Sequence, residues 1–315
     1  MPIFKGDKSK IDRMRIAGLI ISLLQKELFF SKLHEIRNEL KNVLKTGYVR
    51  VHFINGIAVL SYYLKKKQAV ARIMVSTGKD KKHHLIWELW PHRFQQAEFE
   101  TFHHFVSSKL NHDPAFRYER AYYEGHVSYL ELACDVIGPQ IYDFIYWKDK
   151  TRKSLIYITS KGEKGAIYLG SKNSDLYFCI YNKAKQLKET GQDTQLNNFL
   201  RIEARLRRTK LKPYQLGHLE NPFMKLNIAS AIDCKNINAN SQWQHFLYIA
   251  KEQGSAKAFS LLNKKERKKY KDRLSLALAK FWRPQTITNS IGKAMEPIKP
   301  ENLFPNTTAL SDMAL

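Results

Sequence analysis

The sequence predicts an α+β fold: a mainly antiparallel sheet as core, helices on one face and a helical C-terminal region. Three observations predict it. Asn55-Gly56 sits between two apolar runs, the signature of a tight hairpin. Period-two alternation marks residues 126–136, 175–183 and 200–208 as strands. Apolar residues at helical spacing mark the first 46 residues and the region beyond Trp243.

In chain order, residues 1–46 read as a helical segment, with Leu24, Leu28, Leu33, Ile36 and Leu40 along one face. Residues 47–212 form the α+β core. Its hairpin is followed by strands at 69–76 and 83–90, stopped by Pro91, and by a helix over 95–110 carrying Phe99, Phe102, Phe105 and Val106. Residues 213–284 are helical, with Gly254 breaking two helices, and 285–315 form a flexible tail rich in Pro, Asn and Thr.

The chain has 53 Lys and Arg against 29 Asp and Glu, a net charge of +24. An excess of this size calls for a polyanionic partner. Sixteen tyrosines and five tryptophans are interleaved with it, which suits nucleic acid better than a lipid surface. Cys134, Cys179 and Cys234 are isolated, without disulfide or zinc spacing, as expected of a cytoplasmic protein. Neither a secretion signal nor a membrane span is expected. His83-His84 and His103-His104 lack ligand spacing and read as surface or packing residues. No phosphate-binding glycine loop is present, so strand opening would rest on supercoiling, an extruded hairpin or a host helicase.

Chemistry concentrates in two places. As a strand, residues 126–136 put Glu131, Ala133 and Asp135 on one face. Carboxylates four residues apart lie about 13 Å apart along a strand, so one of the two is the better ligand for an ion. In residues 175–183, Tyr177, Cys179, Tyr181 and Lys183 share a face, and in 200–208 Arg201, Glu203, Arg205 and Arg207 do. A glutamate flanked by arginines stays ionised. Together these strands supply a nucleophile, hard oxygen ligands suited to magnesium or manganese, and phosphate clamps. Tyrosine attack on a DNA phosphodiester would leave a 5′-phosphotyrosyl link and a 3′-hydroxyl that can prime synthesis. The basic run with Lys265, Arg267 and Lys268, in a helix, break, helix setting, is a further DNA-contacting candidate.

The segments Tyr129-Leu130-Glu131-Leu132-Ala133-Cys134-Asp135, Tyr168 to Ser174 running on to Ile180-Tyr181-Asn182-Lys183, and Arg201-Ile202-Glu203-Ala204-Arg205-Leu206-Arg207 resemble, in order and spacing, motifs of the replication initiation factor family. That family comprises rolling-circle initiators of plasmids and filamentous phages, with related relaxases. The chain departs from it at Tyr129, Glu131 and Asn182, where Arg, Asp and Asp are usual. The resemblance implies a metal-dependent enzyme that nicks and rejoins origin DNA. It implies Tyr181 as nucleophile with Lys183 beside it, Glu131, Asp135 and Glu203 as acidic ligands of Mg²⁺ or Mn²⁺, and Arg201, Arg205 and Arg207 on DNA. Tyr177 shares the face of Tyr181 and stays open as nucleophile, as does Tyr168. The implied partners are origin DNA, a host helicase and polymerase, and a second copy in a homodimer. A conjugative relaxase of the same chemistry and a non-catalytic DNA-binding regulator are the alternatives.

Overall fold

The computed structural model of the chain describes residues 10–39, 43–44, 47–65, 68–93, 95–149, 153–159, 164–189, 191, 198–237, 240–287 and 296–303. It divides into two compact units. One comprises Ile11–Glu131, Arg208–Leu219 and Ile291–Leu315; the other comprises Met1–Lys10, Leu132–Arg207 and Glu220–Ser290. Both are α+β, and strands pair antiparallel in each.

The N-terminal unit begins with β1 (Lys10–Ile21) where helical spacing is expected. The physical reason is the alternation of Arg13 and Arg15 with buried Met14 and Ile16. Gly18, at φ 87°, ends that alternation in a bulge between Ile16 and Leu19. A Cβ there would lie 2.3 Å from the His126 ring, so the bulge admits only glycine. Helix α1 (Leu23–Asn38) then starts on a capping box in which Ser22 accepts from the Gln25 N–H and Gln25 accepts from the Ser22 N–H.

Strands β2 (Val43–Leu44), β3 (Gly47–Ile54), β4 (Ile57–Lys65), β5 (Gln68–Thr77) and β6 (His83–Leu89) follow, and they neighbour one another in the order β2-β3-β4-β5-β6-β1. Asn55 and Gly56 turn the β3–β4 hairpin at φ 48° and 75°, as the type I′ turn demands. Helices α2 (Gln96–Lys109) and α3 (Tyr118–Glu124) lead to β7 (His126–Ile137). Buried aromatics join helices to sheet: Trp87 meets Tyr118 at 5.5 Å and Tyr62 stacks on Phe102 at 5.2 Å. His103 is buried and accepts from the Tyr118 N–H, holding the start of α3, while His84 bonds Asp80.

Strand β7 passes from one unit to the other after Glu131. The C-terminal unit continues with β8 (Phe144–Lys148), β9 (Ser154–Ile158), β10 (Lys164–Leu169), β11 (Leu176–Asn182), α4 (Lys183–Glu189) and β12 (Phe199–Arg207). Here the strand order is β7-β12-β11-β10-β9. Strand β13 (Leu226–Ser230) pairs with β8 in a separate ribbon and makes an isolated bridge from Ala229 to Leu278. Helices α5 (Ala231–Ile237), α6 (Ser241–Glu252), α7 (Ser255–Ser260) and α8 (Lys264–Ser275) build a core of Ile145, Trp147, Trp243, Phe246, Tyr270 and Leu274.

Gly254 breaks α6 from α7 at φ 90°, and a Cβ there would lie 2.3 Å from Ser154 Oγ. Cys134, Cys179 and Cys234 are buried thiols. Burial pushes Cys134 and Cys234 each up to about 12. Helix α9 (Pro300–Leu303) returns to the N-terminal unit. Residues 288–295 and 304–315 of the expected tail lie outside the described residues. Among the described residues no helix is long and apolar enough to cross a membrane.

Candidate active site

Alternation fixes which side chains of β11 and β12 share a face, and the pairing register fixes which of them meet. Tyr177 lies opposite Arg205, Cys179 opposite Glu203 and Tyr181 opposite Arg201. The Tyr181 hydroxyl donates to Glu203 Oε1 at 2.6 Å. Arg205 closes on the other carboxylate oxygen, its Nε and Nη2 at 3.0 and 2.6 Å from Oε2. Glu203 is 1% exposed, so this charge-assisted bonding satisfies a carboxylate that burial would otherwise penalise. Tyr181 is half-buried, whereas Tyr177 is 3% exposed and has Arg205 at 3.5 Å from its hydroxyl.

Tyr168, across from Cys179 on β10, is a third tyrosine of this strand set. Burial, reinforced by Cys179, pushes it up to about 12. Lys183 opens α4 directly after β11, with its ammonium 5.9 Å from the Tyr181 ring centre and donating to Gln186. Asn182 accepts from the Lys185 N–H, so it caps the helix at the point where the strand ends.

Of the other residues expected here, Arg201 and Asp135 form a two-pronged pair. Arg201 Nε and Nη2 reach the two carboxylate oxygens at 2.6 and 2.8 Å, and Lys10 lies 3.1 Å from Oδ2. Burial alone would raise the Asp135 carboxyl, but the Arg201 hydrogen bonds and charge, with Lys10, outweigh it and hold it below the usual range. Arg207 stands half-buried at the end of β12.

In α8, Lys265 and Lys268 are exposed and line a groove with Lys264, Lys269, Arg273 and Leu276. Arg267 has a different place: its Nε donates to the Phe259 and Leu262 carbonyls at 2.8 and 2.9 Å, closing the end of α7.

Glu131 lies in the N-terminal unit, 8% exposed, and accepts from the Tyr129 hydroxyl at 2.8 Å. Beside it is Asp12 of β1, with a carboxylate oxygen of each within 4.8 Å of the other. Asp12 is also 3.4 Å from His92, and both acids act on Arg93. Asp12 is the acid that helical reading of the first 46 residues hides; the signal for it was the Arg-Met-Arg-Ile alternation beside it. A hard oxygen pair of this kind suits a magnesium- or manganese-like ion.

No curated protein sequence matches the chain. A rolling-circle replication initiator protein from Geobacillus stearothermophilus is among the solved structures that resemble it, at 15% identity and a TM-score of 0.37, over 78% of this chain and 96% of that one. The family model of the replication initiation factors matches residues 143–214, the stretch that holds Tyr181, Lys183, Glu203 and Arg205. Across these catalytic-candidate strands, the replication initiation factors are the family that this chain is similar to.

Proposed function

We propose that the protein is a rolling-circle replication initiator, a DNA-nicking and rejoining enzyme that uses Tyr181. The observation that carries this reading is the Tyr181–Glu203 hydrogen bond at 2.6 Å, within the stretch matched by the family model. A phenol is a weak nucleophile at its ordinary pKa and needs a base at hydrogen-bond distance. Glu203 is the proposed base, and Arg205, bonded to its other oxygen, aims it. Tyr177 is buried and Tyr168 is held protonated, so both are poorer nucleophiles.

In the proposed step the Tyr181 oxygen attacks the scissile phosphorus, its proton passing to Glu203. The P–O3′ bond breaks, the 3′ oxygen takes a proton from a water that Glu203 reprotonates, and the 5′-phosphate stays on the tyrosine. Rejoining reverses this, a 3′-hydroxyl attacking the phosphotyrosine. Asp12 and Glu131 of the N-terminal unit are proposed ligands of Mg²⁺ or Mn²⁺. When bound, such an ion polarises phosphate oxygens. Asp135 serves by holding Arg201. Lys183 and Arg207, together with Lys265 and Lys268 of α8, position phosphates. The substrate is origin DNA, and the 3′-hydroxyl serves a host polymerase, with a host helicase opening the duplex.

The test is incubation of the purified protein with a supercoiled plasmid carrying its own replicon and Mg²⁺ or Mn²⁺, followed by denaturing electrophoresis and mapping of any protein–DNA adduct. A 5′-linked adduct at Tyr181 supports the reading. Tight binding without an adduct in any metal replaces it with a non-catalytic regulator.

A further inference from the structure

The N-terminal unit carries a second basic feature that the nicking residues do not use. Cross-strand pairing places Arg50 of β3 opposite Ser61 of β4, Ser61 opposite Arg72 of β5, Arg72 opposite Glu88 of β6, and Glu88 opposite Arg15 of β1. These five residues form one row across five adjacent strands. At about 4.8 Å per strand step the row is about 19 Å long. On the opposite face, Leu60, Ile73, Leu85 and Trp87 are fully buried.

Glu88 is 1% exposed and takes three arginines. Arg13 Nε lies 2.9 Å and Arg15 Nη2 2.8 Å from its Oε1, and Arg72 Nη1 lies 3.3 Å from Oε2. Burial would raise the Glu88 carboxyl, but Arg13 and Arg15 override it and hold it low. One carboxylate cannot neutralise three guanidinium groups, so the cluster keeps a surplus of positive charge.

Aromatic rings fix the same arginines from below. Arg13, Arg72 and Arg93 each lie over Trp90, at 5.3, 4.9 and 5.5 Å from a ring centre, and Arg50 lies over Tyr48 and Tyr63 at 5.2 and 5.0 Å. Trp90 and Tyr63 are themselves buried beneath them. The guanidinium groups, not the rings, are what the surface presents: the Arg13, Arg15 and Arg72 side chains are 31, 39 and 31% exposed and Arg50 is exposed. His52, near Arg50, Arg72 and Arg37, is pushed down first by burial and then by these three charges, an independent sign of the positive field here.

We propose that the Arg50–Arg72–Arg15 row, with Arg13, is a binding track for single-stranded DNA. Arginines already held by Glu88 and the rings lose little side-chain entropy on meeting a phosphate, and their planar faces stay available to stack on unpaired bases. The arginines meet phosphates and base faces, which are common to every sequence, so the track grips the strand without regard to sequence. A length of about 19 Å suits several nucleotides of an extended strand, in the range of single-strand sites. This rests on the proposed function only in explaining why an unpaired strand would be present.

The test uses the full chain carrying Tyr181→Phe, so that no cleavage intrudes. Fluorescence anisotropy follows a labelled oligothymidylate of about 20 nucleotides, a length that spans such a site. The Arg15→Ala/Arg50→Ala pair should bind about tenfold or more weaker, with the slope of log affinity against log salt smaller by about 1.4, two phosphates at about 0.7 each. Arg50→Ala alone, outside the Glu88 cluster, should lower the slope by about 0.7 while the circular dichroism stays unchanged, which covers the case in which the pair misfolds. Lys257→Ala, an exposed lysine of α7 outside both the track and the phosphate-positioning residues, should leave oligothymidylate binding as it was.

Unchanged affinity and slope in a folded Arg50→Ala protein overturn the track, as does a loss confined to duplex DNA. The unsubstituted protein's adduct assay reads the nicking proposal separately: an adduct with no effect of Arg50→Ala sinks only the track, and a working track with no adduct sinks only the nicking.

Discussion

The hydroxyl of Tyr181 and the carboxylate of Glu203 share a 2.6 Å hydrogen bond, formed between neighbouring strands by residues 22 positions apart. Phenylalanine at position 181 removes the proposed nucleophile and this bond but little surface. Tyr181→Phe is therefore expected to abolish the covalent adduct and keep DNA affinity, whereas Tyr177→Phe keeps the adduct. Denaturing gels of both proteins with supercoiled replicon DNA check this, and an adduct in Tyr181→Phe would reassign the nucleophile.

Glu203→Gln keeps shape while deleting the proposed base and the charge that Arg205 pairs with. Nicking should fall by about 10²- to 10⁴-fold, the usual contribution of a positioned base. Single-turnover rates across a magnesium and manganese titration measure it. A rate within error of the unsubstituted protein at every ion concentration would take Glu203 out of the chemistry.

The Asp135–Arg201 pair predicts acid sensitivity of the C-terminal unit. The folded carboxyl lies below its ordinary value of 3.8, so its stabilisation is complete above that pH and is lost as pH falls through the lower folded value. Asp135→Asn should flatten this acid limb and, by leaving buried Arg201 without its carboxylate, cost about 3 kcal/mol at neutral pH. Urea unfolding at pH 7 and between pH 4 and 2, in steps of about half a unit, reads both effects.

Within α8 neighbouring cations should behave differently. Lys265→Ala and Lys268→Ala are expected to weaken duplex binding evenly across sequences, each reducing the salt slope by about 0.9, with thermal stability unchanged. Arg267→Ala should destabilise the fold by about 1.5–3 kcal/mol, since two carbonyls lose a charged donor. Salt titrations and thermal melts of the three proteins separate contact from scaffold.

Deep truncation in the helical core gives a stability reference. Trp243→Ala removes a fully buried ring that stacks on Phe246 and meets Tyr270 edge-on, and it should cost about 3–5 kcal/mol. A loss under about 1 kcal/mol in chemical denaturation would mean that this core is not the one holding α6 and α8.

Much of the site could be read from the chain because strand alternation is a local property. It places Tyr177, Cys179 and Tyr181 on one face and Arg201, Glu203 and Arg205 on another before any pairing is known. What alternation cannot give is register: that Cys179 faces Glu203, or that Asp135 meets Arg201 across 66 positions, depends on loop geometry between strands. The strand from Lys10 to Ile21 was hidden for a different reason. Its bulge at Gly18 shifts the alternation, leaving the Arg-Met-Arg-Ile run too short to outweigh the helical pattern that follows. Asp12, and with it the partner of Glu131, was lost with that strand.

The three buried thiols make the chain convenient for labelling. Burial pushes Cys134 and Cys234 each up to about 12 and Cys179 is 2% exposed, so none of them is a reactive thiolate at neutral pH. A single cysteine placed on an exposed position such as Lys265 would react with a maleimide dye far faster than any of them, so fluorescent probes can be introduced without first replacing the native residues.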